Sequence, residues 1–317
     1  MARPLIRLAL ACLLVMTLVL PAGAASRVWV ALAEDGGAYA EAATVLKTEL
    51  DGAELTVGTW QGLLSEKNTP PDLILTVGVA AFEGILSGSV GKGGHWANVP
   101  VLATLLPRAA FDTLVAGRHA AGTPGRRVLS AAVLDQPIGR QMALLKRALP
   151  DRRHVGVLAG PQTQTLLPML QKEAGARGLT LVAVPVAKPP EDLYPALKAV
   201  LEEADVILAL PEPTVYHGAS LQNILLTTYR ARVPLLAFSA AYAKAGAVLA
   251  LYSTPTQVAR RAAEMTRTWM ANRGLPAPQA PREFAIAINA KVAASLGLQL
   301  DDAATLAEDL RRMEGVH

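Results

Sequence analysis

Ten short runs rich in Val, Ile and Leu recur along the chain, separated by segments whose apolar residues return every three to four positions. The runs are Val28–Leu32, Leu55–Val57, Leu73–Val77, Val99–Thr104, Val128–Val133, Val155–Leu158, Leu181–Val184, Val206–Leu210, Leu235–Phe238 and Val248–Leu251. They lack strict two-residue alternation, as strands do when helices bury both faces of a parallel sheet. Between them, Ile138, Met142, Leu145 and Leu149 share one helix face, as do Leu193, Leu197, Val200 and Leu201, and Val258, Ala262, Met265 and Trp269. Repeated strand–helix units predict an α/β architecture with right-handed crossovers. Ten strands are many for one open sheet in 317 residues, so two Rossmann-like lobes are expected, each a parallel sheet flanked by helices. Breaks are expected at Gly117–Arg127 and near Tyr252–Pro255. They divide the chain into a first lobe of 26–125 plus 254–280 and a second of 126–253 plus 281–317. The stretch Gly84–Gly94 reads as a flexible surface loop.

The first 25 residues read as a cleavable signal peptide. Arg3 and Arg7 precede an apolar run from Leu8 to Leu20, and Ala22-Gly23-Ala24 fits a small-x-small cleavage site, with the cut after Ala24 or Ala25. The run is short for a bilayer span, and no later segment has eighteen uncharged apolar residues. The expectation is a periplasmic body with no stable membrane insertion after cleavage, and a monomer. The formal charge is +4, and the leader holds two basic residues and no acid, so the body carries only half of that excess. Nothing in it marks a nucleic-acid binder, which would cluster its basic residues. The single cysteine, Cys12, lies in the leader, so the body has neither a disulfide nor a thiol nucleophile.

Motifs for catalysis are missing. Gly88 to Gly94 resembles a phosphate loop, yet Gly93 follows Lys92 where such a loop needs Ser or Thr to hold magnesium. No G-x-S-x-G elbow and no strand-to-helix G-x-G-x-x-G occurs. His95, His119, His154, His217 and His317 are never paired at i+3 or i+4, which speaks against a metal site, and the adjacent acids Asp301-Asp302 and Glu202-Glu203 diverge around their helices. No enzyme activity, cofactor or metal is expected.

Binding chemistry has better support. Open α/β sheets collect ligands beyond the carboxyl ends of their strands, where helix N-termini offer free N–H groups. Those ends carry Glu34 in Glu34-Asp35-Gly36-Gly37, then Gly78-Val79-Ala80-Ala81, with Thr104 ending the fourth strand. In the second half they carry Gln162, Thr163, Glu212, Thr214, Ser239 and Tyr242. Ordinary helix capping explains any one of them alone; their coincidence in one cleft is the functional reading. Trp29, Trp60, Tyr242 and Tyr252 are the candidates for stacking on a ligand.

The second half resembles the ABC-type solute-binding proteins that include periplasmic tryptophan and tyrosine binders, with the type I periplasmic-binding fold. The similar stretches are Gln141–Pro150, His154–Leu158, Ala204–Pro211, Val233–Ser239 with Ala245–Val248, Gln257–Ala263, Ile288-Asn289 and Ala293–Leu298. In the first half the match rests on Thr76–Ala81 and Val99–Val101. The resemblance implies a hinged pair of lobes that closes on an amino-acid-like small molecule and docks on an ABC permease. It puts Glu212 where the family's P-x-D-x-T acid would hold the ligand's amine, with Thr214 after it. It puts Gln162 and Thr163 in a polar turn that touches ligand, and Ser239 and Tyr242 after the next strand. The ligand's carboxylate would sit on backbone N–H groups near Gly78 or Gln162. Two motifs depart from the family: Leu106-Pro107-Arg108 replaces its D-P pair, and Arg126 to Gln136 replaces its P-G-G-N-x-T-G crossover. A second reading follows from those departures, a ligand-free sensor or scaffold module acting with another envelope partner.

Overall fold

The computed structural model describes residues 25–65, 69–91, 98–120, 127–188 and 191–315. The expected leader lies outside them apart from Ala25. The first lobe runs β1 (Arg27–Leu32), α1 (Gly37–Glu49), β2 (Glu54–Thr59), α2 (Trp60–Ser65), β3 (Leu73–Val77), α3 (Val79–Gly91), β4 (Val101–Leu106), α4 (Arg108–Ala120) and β5 (Leu129–Val133). Its five strands pair in the order β2-β1-β3-β4-β5, all parallel. The second lobe begins with α5 (Ile138–Ala148), β6 (His154–Ala159), α6 (Leu167–Gly175), β7 (Thr180–Pro185), α7 (Leu193–Glu203) and β8 (Val206–Leu208). It continues with α8 (Gly218–Arg230), β9 (Leu235–Ala237), α9 (Ala240–Ala245) and β10 (Leu249–Tyr252). The chain then returns to the first lobe as α10 (Pro255–Asn272) and finishes on the second as β11 (Ala285–Ile288), α11 (Ala290–Ser295) and α12 (Ala303–Met313). The second sheet is ordered β11-β10-β9-β8-β6-β7, parallel except for β11.

The central strands of each sheet are buried on both faces, which is why they read as continuous apolar runs, while the edge strands β2 and β7 are partly exposed. One face of the first sheet packs Val28, Val30, Leu73, Leu75 and Leu102 against α1 and α10. The other packs Trp29, Ile74, Val101 and Ala103 against α2, α3 and α4, with Phe82 and Phe111 stacked at 5.3 Å. Helix α10 contributes Val258, Ala259, Ala262, Ala263, Met265 and Trp269 to the first face. It starts where it does because Thr254 and Gln257 form a reciprocal capping box and Pro255 fills the first turn.

Three sequence expectations change. Strand β5 pairs with β4 in the first sheet, so the chain leaves that lobe after Val133 and not at residue 125. Strand β11, a short antiparallel edge of sequence AIAI, was not anticipated. The expected loop at Gly84–Gly94 is helical as far as Gly91, and residues 92–94 lie outside the described residues. Its glycines are contact surfaces: a Cβ on Gly84 would meet the Trp60 ring at 2.5 Å, and one on Gly88 would meet Leu64 at 2.6 Å. One turn apart, they make the flat face on which α2 rests.

The chain passes between lobes three times, and the passages are bonded to one another. Gln136 Nε2, on the first, donates to Ser253 Oγ on the second at 2.8 Å, and Ser253 Oγ donates to the Glu283 carbonyl on the third at 2.6 Å. Arg140, at the start of α5, donates to Gln136 Oε1 at 2.9 Å and to the carbonyls of Pro281 and Arg282, each at 3.2 Å. Its guanidinium makes a forked pair with Glu314, both bonds 2.8 Å, and lies over the Phe284 ring.

Candidate functional site

The carboxyl ends of the two sheets meet at a cavity of about 240 Å³. Pro107, Leu134 and Asp135, which follow β4 and β5, form its first-lobe wall. Pro211, Phe238, Ser239 and Tyr252, beyond or at the ends of β8, β9 and β10, form the second-lobe wall. Gln136, Gln141, Leu251 and Ser253 close the end at the hinge. A larger hollow of about 480 Å³ lies between α7 and α8, with Tyr194 and Leu226 on its wall. It is a groove between two helices of the second lobe, with no first-lobe residue among those that line it.

The loops that shape the cavity are irregular where the strands stop. Leu105 has φ 52° and the β4–β5 register shifts between Thr104 and Leu106, a bulge immediately before Pro107. Asp135 accepts a hydrogen bond from the Arg108 backbone N–H, at the first residue of α4. Burial pushes its carboxyl above the usual range, opposed by that backbone bond. The Arg108 side chain turns instead to Asp112, 2.8 Å away, and both are exposed. On the second lobe Phe238 contacts the rings of Tyr242 and Tyr216, at centroid distances of 4.8 and 6.1 Å. Burial raises the pKa of both phenols, and the neighbouring Tyr242 adds to the effect at Tyr216.

Of the ten residues singled out by sequence, Ser239 lines the cavity, and it also caps α9 by accepting from the Tyr242 N–H. Tyr242 sits one turn further on and donates its hydroxyl to the Tyr216 carbonyl at 3.1 Å. Glu34 and Val79 are exposed at the tips of β1 and β3. Gly78 is buried and donates its N–H to the Thr104 carbonyl at 2.8 Å; Thr104 is fully buried, and its hydroxyl has no hydrogen-bond partner among the described residues.

Glu212 departs from the role that the resemblance implies. It is 1 % exposed, and its carboxylate accepts from the Gln162 N–H (2.9 Å), the Thr163 N–H (3.0 Å) and hydroxyl (3.1 Å), and the Thr214 N–H (3.3 Å) and hydroxyl (2.8 Å). Five donors from its own chain fill its acceptor sites. Glu212, Gln162, Thr163 and Thr214 thus form one knot that ties the loop after β6 to the loop after β8. Gly160 packs so closely that a Cβ there would collide with the Glu212 side chain.

Asp135, Gln136, Phe238 and Ser253 were not anticipated as lining residues. Phe238 was read as the last residue of a strand, and Asp135 lies in the crossover that replaces a family motif. The one signal that could have found them was their place directly after apolar runs. Among stacking candidates, Trp29 is buried in the first lobe, Trp60 packs on α3 and Tyr252 reaches the cavity. Among the described residues no group of His, Cys, Asp and Glu could hold a metal ion, and no helix is long and apolar enough to cross a membrane.

A family model described as ABC transporter substrate binding protein matches residues 121–308, more than half of the chain. No curated protein matches. Solved structures do. A conserved domain protein from Vibrio cholerae is 19% identical, with a TM-score of 0.58, covering 89% of this chain and 98% of its own. An ABC domain from Streptococcus pneumoniae in complex with L-Trp is 14% identical, with a TM-score of 0.58, covering 90% of this chain and 98% of its own. A ligand-free, open substrate binding protein with adhesive properties from Clostridium difficile is 13% identical, with a TM-score of 0.62, covering 87% and 96%. At these identities the structural likeness concerns the fold.

Proposed function

This chain belongs to the ABC transporter substrate binding protein family and has the type I periplasmic-binding fold, and on that premise we propose that it captures a small, amine-bearing, amino-acid-like solute between its lobes for an ABC-type uptake system. It is a binding protein and not an enzyme. The supporting observation is the cavity of about 240 Å³ whose walls come from the strand ends of both sheets, so that a ligand there touches both lobes at once. Such a ligand favours the closed arrangement by as much as it binds that arrangement better than the open one. Asp135 takes the place proposed for the amine anchor, since Glu212 is filled by its own chain. Phe238 and Tyr252 offer their rings to the apolar part. The basic, apolar leader supports a periplasmic location, and we read the exported body as a monomer that meets a permease.

A thermal-shift screen of the body without its leader tests this reading against amino acids, amines, sugars and polyols. A specific ligand at a hundred times its dissociation constant stabilises by about 2.7 kcal/mol. The pneumococcal complex with L-Trp makes amino acids and the amines that share their side chains the first probes. A flat response across the whole library would overturn solute capture and leave the scaffold or sensor reading in its place.

A further inference from the structure

The charge content of the cavity is unusual for a site meant to hold a zwitterion. A free amino acid brings an ammonium and a carboxylate, and both need partners once water is excluded. The cavity supplies an acid, Asp135, and among the described residues no lysine, arginine or histidine lines it. Two arginines adjoin lining residues: Arg108, whose charge is felt at Asp135, directs its guanidinium to Asp112 on the exposed side of α4, and Arg140 pairs with Glu314. The lining glutamines are already engaged: Gln136 Nε2 donates to Ser253, and Gln141 Nε2 donates to the Gln136 carbonyl. Each amide keeps a second N–H, and with the hydroxyls of Ser239 and Tyr252 these are neutral donors on the wall.

One place that would suit a ligand's carboxylate, the start of α4, is taken. The first N–H of α4, a thirteen-residue helix, points to the Asp135 carboxyl. The protein's own acid therefore occupies the anion position at that helix end. A second carboxylate brought beside it would meet like charge with no cation between them.

We propose, resting on the reading of this cavity as the solute site, that it is a cation site: it takes an amine with an apolar body and no carboxylate, and turns away zwitterions and anions of the same shape. Asp135 is the residue that sets this specificity. The ammonium lies against its carboxylate while the apolar body lies against Phe238 and Tyr252. Burial holds the Asp135 carboxyl above its usual range although the Arg108 N–H and charge act to lower it, and an ammonium laid against it from the cavity side favours its charged form further.

Calorimetric titration of the body without its leader tests this with three matched pairs: isoamylamine and leucine, phenethylamine and phenylalanine, tryptamine and tryptophan. At least one amine is expected to bind about tenfold or more tighter than its amino acid, a gap of about 1.4 kcal/mol. Asp135→Asn, which keeps an acceptor for the Arg108 N–H, is expected to weaken that amine by about tenfold or more. Equal or tighter binding of every amino acid overturns the inference, as does an amine whose affinity survives Asp135→Asn. If that variant does not fold, the comparison within each pair on the unaltered chain decides alone. If no pair member binds while a sugar or polyol does, solute capture stands and the charge selection falls. Silence from the pairs and from the whole screening library ends both.

Discussion

A carboxylate that accepts five hydrogen bonds from its own chain is a structural group, and Glu212 illustrates how the same residue type can change role without moving along the chain. Removing it strands several donors around a buried hole, so Glu212→Ala is expected to cost about 3 kcal/mol or more. Glu212→Gln is expected to cost less, because one oxygen remains. Urea midpoints read both, and a Glu212→Ala midpoint matching the unaltered chain would refute the knot. Asp135 has the opposite character. Its folded-state carboxyl holds its proton to higher pH than in the unfolded chain, because burial disfavours the charged form. The folded state therefore binds more protons across the carboxylate range and above it, and stability falls as pH rises through that window. Asp135→Asn lacks this loss. In the absence of ligand it is expected to match the unaltered chain in acid and to exceed it progressively towards neutral pH. A gap that stays constant with pH would contradict the assignment. Between them, the two acids bound what a sequence can say about a site: both follow apolar runs, and hydrogen bonds made across fifty residues decide which one faces the solute.

Among the elements, the pair α2–α3 makes the sharpest prediction. In a helix interior, glycine to alanine gains about 1 kcal/mol, while overpacking costs about 1–3 kcal/mol. Gly84→Ala meets the rigid Trp60 ring on three atoms within 2.7 Å and is expected to destabilise by about 1–2 kcal/mol. Gly88→Ala meets the tip of Leu64, whose next side-chain atoms lie at 3.8 Å or beyond, and a rotamer change is expected to leave it near neutral. Denaturant titration of the two variants separates the outcomes, and equal effects would argue against close packing of α2 on α3. These glycines also show where the sequence misled. Five glycines in eleven residues resemble a loop, because a smooth helix face and a turn use the same residue for different reasons. The central apolar strands were legible because burial on both faces leaves an unbroken signal. β11 was not, since two of its four residues are alanine and three are only partly buried. The extent of the first lobe was misread for a related reason: the basic, glycine-rich stretch before β5 resembles a linker, but it joins two elements of one sheet.

Across the whole molecule, the three passages between lobes behave as a bonded set through Gln136, Ser253 and the Glu283 carbonyl. Ser253→Ala removes both bonds of its hydroxyl and is expected to cost about 1–2 kcal/mol. It is also expected to widen the distribution of interlobe distances in the ligand-free chain, measured between labels placed on α4 and α8. An unchanged distribution would mean that packing, and not these bonds, sets the hinge. The return of α10 to the first lobe reaches further. Six of its residues seal the face formed by Val28, Val30 and Leu75, although they are encoded more than a hundred residues after the last strand of that sheet. The lobes are thus not cassettes that a single genetic crossover could trade between relatives. An exchange of the first lobe would need paired breakpoints on either side of the second, and a message cut short before codon 255 would yield a sheet with one side covered by α1 alone and otherwise sticky.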